Sequence, residues 1–365
     1  MYYQNFDMNG QNNVNGQPDF QPPFYNNFNR KSLPAYYEEK ARIRKISYIS
    51  SAFLLASFII SFIISLFMRS SSSFLTLYKE NNTFANAFYI LYSTLSVFLP
   101  ALVINIIISK KYKGIDFSNS YAKPQSKTMF VLAVFAGLAI SFAADYIVNI
   151  ISYIFSSFDI EQISSDKNTS NLSALGIVVS IVATAIIPAL NEEFALRCTI
   201  LQPLRKGGDW FAIITSAFIF GLLHGSPNQI PFAFIAGIGM GYYSVATGSV
   251  FTGVAIHFLN NLFAVVFWIL QDLYPDYNFN KISSIIMVSI VIIGFICATI
   301  FALSNKKQVM QNPPSILTTG DKVKAFLLNP PMIITIIIFV GTALLQLRKT
   351  GASSDSSLGM VSFLL

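Results

Sequence analysis

Nine apolar runs separated by short polar links constrain this chain more than any other feature. In the hydrocarbon of a bilayer every backbone N–H and C=O must find its partner within the protein, which leaves helices and closed barrels as spanning structures. The runs cover 46–68, 84–109, 129–154, 175 to about 205, 210–223, 231–246, 250–270, 282–303 and 332–347. At 1.5 Å per residue the longer ones cross a core about 30 Å thick. The expected class is all-α: a polytopic transmembrane helical bundle of about eight to nine spans. Soluble domains carry about a quarter charged residues. Here 11% are charged and 53% hydrophobic, which excludes that class.

Lys and Arg at span ends set the expected orientation. Lys40, Arg42, Arg44 and Lys45 precede the first run, and Lys110, Lys111 and Lys113 follow the second. The N-terminus is therefore expected in the cytoplasm of an integral membrane protein. Asp159, Glu161 and Asp166 follow the third run as an outside loop would. The fifth run, 210–223, is short enough for a re-entrant segment. A crossing is preferred, because it places Lys306, Lys307, Lys322 and Lys324 inside and misplaces only Arg348 and Lys349. The net charge of +7 is accounted for by this asymmetry, and nucleic acid needs no invoking. Cys198 and Cys297 lie in or beside apolar runs, which speaks against a disulfide framework. The first run begins only after about 45 polar residues, unlike a signal peptide.

The chain divides accordingly. Residues 1–40, rich in Asn, Gln, Pro and Tyr, are expected to be a disordered cytoplasmic tail. Residues 41–303 are the transmembrane core, 304–331 a cytoplasmic loop with Pro313-Pro314 and Pro330-Pro331, 332–347 an additional helix, and 348–365 a flexible tail. Pro100 is expected to kink the second span and Pro203 to end the fourth early. Ala233, Gly237 and Gly241, four apart, make a close-packing seam.

Polar groups inside the apolar runs mark function, because an ionisable side chain there normally faces a bundle interior or a wet cavity. They concentrate in Asn191-Glu192-Glu193, Arg197, Phe220, His224, His257 and Asn260-Asn261, and the chain's two histidines are both among them. Glu193 and Arg197, four apart, share a helix face and suit a structural ion pair. Glu192 points about 100° away and stays available for chemistry. His257 and Asn261 also share a face, with Asn260 as the nearby competitor, and Phe220 is placed to wall the pocket of His224. Antiparallel packing of the fourth and fifth helices would bring Glu192 and His224 level, each roughly 20 Å from the basic helix ends.

Two mechanisms fit this set. In one, Glu192 and His224 act as general base on a water that attacks a carbonyl, while His257 and Asn261 donate to the oxyanion. In the other, Glu192, His224 and His257 bind Zn²⁺, which activates the water; no HExxH helix supports it. A membrane scaffold or immunity partner, held together by the same residues, is the rival from another class, and a proton-coupled transporter using Glu192 and Asp145 is a third. Asp145 with Asn149 is read as structural or water-lining. No Gly-x-Ser-x-Gly elbow points to a serine protease.

Glu192-Glu193-x-x-x-Arg197, Phe220-x-x-x-His224 and His257-x-x-x-Asn261, in that order on successive apolar segments, resemble the three motifs of the CPBP family, the CAAX protease and bacteriocin-processing (Abi) membrane proteases. The resemblance covers roughly residues 80–300. It implies a helical core of about eight spans and an endopeptidase site within the membrane. It also implies that Glu192 and His224 activate the water and that His257 and Asn261 form the oxyanion hole, with Zn²⁺ dependence left open. Substrates implied are membrane-associated or lipidated peptides and proteins, in CaaX processing, bacteriocin or signal maturation, or self-immunity. The Asn-, Ile- and Ser-rich usage points to a low-GC bacterium and a bacterial cell membrane, favouring the peptide-processing or immunity branch.

Overall fold

Apolar runs that must satisfy their own backbone fold as helices throughout. The computed structural model describes residues 30–111, 122–162, 173–304, 310 and 312–349. Helix α1 (Pro34–Ser70) opens with proline at its first position, where the missing N–H costs nothing. It is followed by α2 (Ser72–Glu80), α3 (Asn82–Ser93), α4 (Leu99–Lys111) and α5 (Lys127–Ser157). The fourth span, Ala174–Gly207, contains α6 (Ala174–Ile181), α7 (Ile187–Glu193) and α8 (Gln202–Leu204). Then come α9 (Asp209–His224), α10 (Gln229–Thr247), α11 (Val250–Leu273), α12 (Asn280–Ser304), α13 (Thr319–Leu327) and α14 (Pro330–Leu344). Two three-residue strands, β1 (Ile160–Gln162) and β2 (Leu347–Lys349), pair antiparallel. Among the described residues seven helices are long and apolar enough to cross a membrane, and α13 and α14, bent by 72°, reach that length only when taken together, as a broken span or a re-entrant loop. The all-α polytopic bundle is thus the observed fold.

Three prolines inside spans share one local solution. Pro100, Pro188 and Pro203 each come two residues after a π-helical stretch: Thr94–Phe98, Val182–Ile186 and Phe194–Leu201. In each case the residue before the proline donates its N–H five residues back, Leu99 to Thr94, Ile187 to Val182 and Gln202 to Arg197. Proline lacks an N–H and collides with the carbonyl four residues behind it. The wider π turn gives the chain another register just before that collision. The fourth span therefore continues through Pro203 to Gly207, instead of ending early as the sequence suggested.

Two further boundaries differ from expectation. Helix starts at Pro34, so the end of the stretch read as a tail is ordered. Tyr36 and Ile43 are buried, Tyr36 donates to Asp321 (3.3 Å), and Glu39 accepts from the Ile316 amide (3.1 Å). Residues 1–29 of that tail lie outside the described residues, as do 350–365 of the C-terminal one. The expected loop 304–331 contains α13, begun by a reciprocal cap between Thr318 and Asp321. At the bend into α14, buried Asn329 caps the Met332 amide (3.2 Å) and donates to Phe326 O (2.6 Å) and Ser47 Oγ on α1 (2.8 Å).

Contacts at the two ends of the bundle show how α9 runs. Its start lies where Arg42 reaches Lys206 O and Lys322 reaches Gly207 O. Its end lies where Gln346 donates to Gly225 O and Gln162 to Ser226 Oγ. The short helix thus runs from the side of α13 toward the paired strands β1 and β2. Arg348, one of the two cations the charge count misplaced, sits 2.8 Å from Glu161 on the paired strand.

Candidate functional site

The turn Arg205-Lys206-Gly207-Gly208-Asp209 folds α9 back against the fourth span. Arg205 Nε lies 2.7 Å from Asp209 Oδ1, and Gly208 holds φ +109°, a conformation that side chains rarely allow. The motif residues of the two helices come together as a result.

Glu193 is sealed, with no side-chain exposure. Its Oε2 lies 3.0 Å from Arg197 Nε, and its Oε1 lies 3.3 Å from His257 Nδ1 on α11. The Arg197 contact is an ion pair without an aligned hydrogen bond, since neither atom has a hydrogen-bond partner. The guanidinium also donates to Gly237 O (3.4 Å) and lies over the Phe220 ring at 5.4 Å, in reach of a cation–π attraction. Close approach of α11 requires Gly253, because a Cβ there would stand 2.5 Å from Glu193 Oε2 and 2.6 Å from Ser244 Oγ.

Phe220 is the hinge of the packing. Its ring meets His224 edge-on at 4.7 Å and His257 at 5.7 Å. Across from it, a Cβ on Gly237 would stand 3.0 Å from the ring and 3.2 Å from Ala217. The small-residue seam of α10 therefore packs on α9, as its spacing suggests.

His224 ends α9, where Gly225 takes the left-handed conformation (φ +54°). His224 Nδ1 lies 3.0 Å from Phe220 O. A carbonyl only accepts, so Nδ1 carries a proton, and in the neutral ring Nε2 is the nitrogen with the lone pair. Glu192, whose side chain retains 12% exposure, has Oε2 3.8 Å from His257 Nε2 and without a hydrogen-bond partner. A buried carboxylate oxygen left in that state calls for a donor, and water is the simplest. Glu192 and His224 line the same cavity, of about 90 Å³.

The remaining expected residues stand differently. His257 backs the cavity by touching both carboxylates. Asn261 donates to Thr184 O (3.1 Å) in the π turn of the fourth span and accepts from Asn260 (3.2 Å). Asp145 and Asn149 lie on the exposed face of α5, away from the cavity lining. The zinc reading fits less well than the water reading: among the described residues no three His, Cys, Asp or Glu side chains gather to hold an ion. In the set Glu192, His224 and His257, the Nδ1 of His257 faces Glu193, which leaves its Nε2 as the nitrogen that would hold an ion.

Sequence reasoning missed the far wall of the cavity, made of hydroxyls. Ser57 and Ser61 come from α1, Tyr89, Tyr92 and Ser93 from α3, and Ser96 from the π turn that follows it. Ser61 and Tyr92 are 3.0 Å apart, and Asn191 donates to Ser93 (3.1 Å). A signal was available: Ser47, Ser50, Ser57, Ser61 and Ser65 recur at helical spacing through an otherwise apolar span, and all are buried.

Residues 174–263 match the family described as Rce1-like, type II CAAX prenyl endopeptidase. No curated protein and no solved structure matches the chain.

Proposed function

We propose that this integral membrane protein, whose residues 174–263 match the Rce1-like type II CAAX prenyl endopeptidase model, is an endopeptidase that hydrolyses a peptide bond of a membrane-associated substrate, lipidated or hydrophobic. One observation carries the reading. Glu192 Oε2, without a partner, and His224, whose Nε2 is free to accept a proton, line one cavity.

In the mechanism, a water between the two groups gives its proton to the glutamate–histidine pair as it attacks the scissile carbonyl, and the pair hands that proton to the leaving amine as the C–N bond breaks. His257, whose Nδ1–H donates to Glu193, serves the reacting carbonyl from Nε2 in its doubly protonated form, the only one in which Nε2 also donates. Asn261 joins it as an oxyanion donor by releasing Thr184, and the two stabilise the charge that develops on oxygen. Glu193 and Arg197 fix His257 and the helix end without touching substrate. The low-GC residue usage favours maturation of bacteriocins or peptide signals, or self-immunity, in a bacterial cell membrane with the N-terminus cytoplasmic.

The test uses protein purified in detergent and dialysed against a chelator, offered a library of lipidated and hydrophobic peptides. Cleavage that survives chelation and disappears in Glu192→Gln is the expected result. Activity that stops with chelation and returns with Zn²⁺ would overturn the metal-free mechanism. A folded protein that cleaves nothing would overturn the protease reading in favour of a scaffold.

A further inference from the structure

We propose that the cavity beside Glu192 and His224 is a selective subsite for one small side chain next to the scissile bond, with Phe58 and Phe339 as the residues that set its size. The inference rests on the protease reading and adds the feature of substrate that the site selects.

Size is the first argument. An apolar cavity of about 150 Å³ admits benzene, whereas this one measures about 90 Å³. The side chain of alanine or serine enters this space with its walls as they stand, while an aromatic side chain or a prenyl chain would press on the walls or lie partly in the open side. The limiting wall is aromatic: Phe58 of α1 and Phe339 of α14 meet edge-on at 5.8 Å, and both line the cavity.

That wall is held from both ends. Asn329 pins the start of α14 to α1, and Gln346, just beyond its end, donates to Gly225 O beside His224 (3.0 Å). Phe339 is 1% exposed. The position of α14, and with it the backbone of Phe339, is thereby tied to the end of α9 that carries the histidine.

Polarity is the second argument. A peptide cleaved inside a membrane must be unwound, and its freed N–H and C=O groups need partners there. Ser57, Ser61, Tyr92 and Gln229 on the cavity wall can supply them. Glu192 Oε2, buried and without a partner, points to a donor entering the same space. Hydroxyls serve an extended polar backbone and gain nothing from a lipid tail. Any lipid on the substrate therefore stays outside this cavity.

Phe58 and Phe339 both lie outside residues 174–263, the matched segment. Catalysis and selection thus come from different parts of the chain, and selection can change while the motif residues stay.

The experiment offers a randomised hydrophobic decapeptide library to the full chain in detergent and reads cleavage sites by mass spectrometry. Expected is enrichment of Gly, Ala or Ser over Phe and Leu at one position flanking the cut, by about tenfold or more, the scale of a pocket that discriminates by size. Phe339→Ala should lower that ratio severalfold. Phe58→Leu, a milder change for the case in which Phe339→Ala does not fold, should lower it in the same direction. A wild-type ratio near one, or a ratio unchanged in both folded variants, overturns the proposal. Retention of the same library by Glu192→Gln protein and by its Phe58→Leu derivative, read without cleavage, decides the subsite separately from the protease reading. If wild type cleaves nothing yet Glu192→Gln retains small-residue peptides selectively, only the protease reading falls; if retention is indifferent to residue size, the subsite falls.

Discussion

Glu192 and Glu193 are neighbours in the chain that face different surroundings. Glu193 looks into a sealed region where Arg197, His257 and the bare backbone of Gly253 meet it, with Phe220 against the guanidinium. Glu192 looks into a cavity with an oxygen still lacking a donor. A carboxylate sealed with its counter-ion is architecture, because its charge is already answered. One that keeps a free oxygen beside a basic nitrogen is available for chemistry. Two identical side chains thus meet different surroundings from helix phase alone.

Substitutions can break this contrast. The largest expected effect is on the open side: Glu192→Gln should lower turnover by roughly 10²–10⁴-fold, the range of a general base, and leave the unfolding midpoint in detergent within a degree or two. A variant that unfolds early would place Glu192 with the architecture. On the sealed side, Arg197→Ala leaves a buried carboxylate with no cation and should cost about 3–5 kcal/mol of stability, read by thermal unfolding in detergent. Unchanged stability would show that His257 alone neutralises Glu193. Gly253→Ala should cost about 1–3 kcal/mol by overpacking, and activity should fall with it as His257 is displaced. The smallest effect belongs far from both. The Arg348–Glu161 pair is 33% and 39% exposed, so Glu161→Ala should change stability by no more than about 0.5 kcal/mol, with peptide selectivity unchanged. A larger loss would mean that the β1–β2 pair braces the end of α9.

The contrast between the two sides was largely legible in the residues. Spacing of four put Glu193 with Arg197 and turned Glu192 away, and the run lengths gave the spans. The π turns were not legible, because proline announces only that the α register fails. Whether the chain kinks, stops or widens depends on the neighbours that hold it, and here it widens at Thr94–Phe98, Val182–Ile186 and Phe194–Leu201. The α13 helix had a local signal in Thr318-x-x-Asp321, a capping pattern overlooked among prolines and lysines. Asn261 marks the limit of spacing arguments. Its face was given by its distance from His257, yet its hydrogen bond goes to Thr184, a partner 77 residues away that no periodicity names.

The contact between Glu193 and His257 also bears on how the protein is made. The partners are 64 residues apart, with α9 and α10 between them. As the chain leaves the ribosome, the fourth span meets the lipid bearing Glu192, Glu193 and Arg197 before α11 exists. Each charge at a bilayer centre costs about 2.5–3.5 kcal/mol on insertion scales, and Arg197 can answer one carboxylate at a time. Biosynthesis therefore passes through a stage in which one carboxylate of this span lacks a cation. Until α9 and α10 are made and His257 arrives, that group takes up a proton, or the span waits beside an insertion machine or at the water interface.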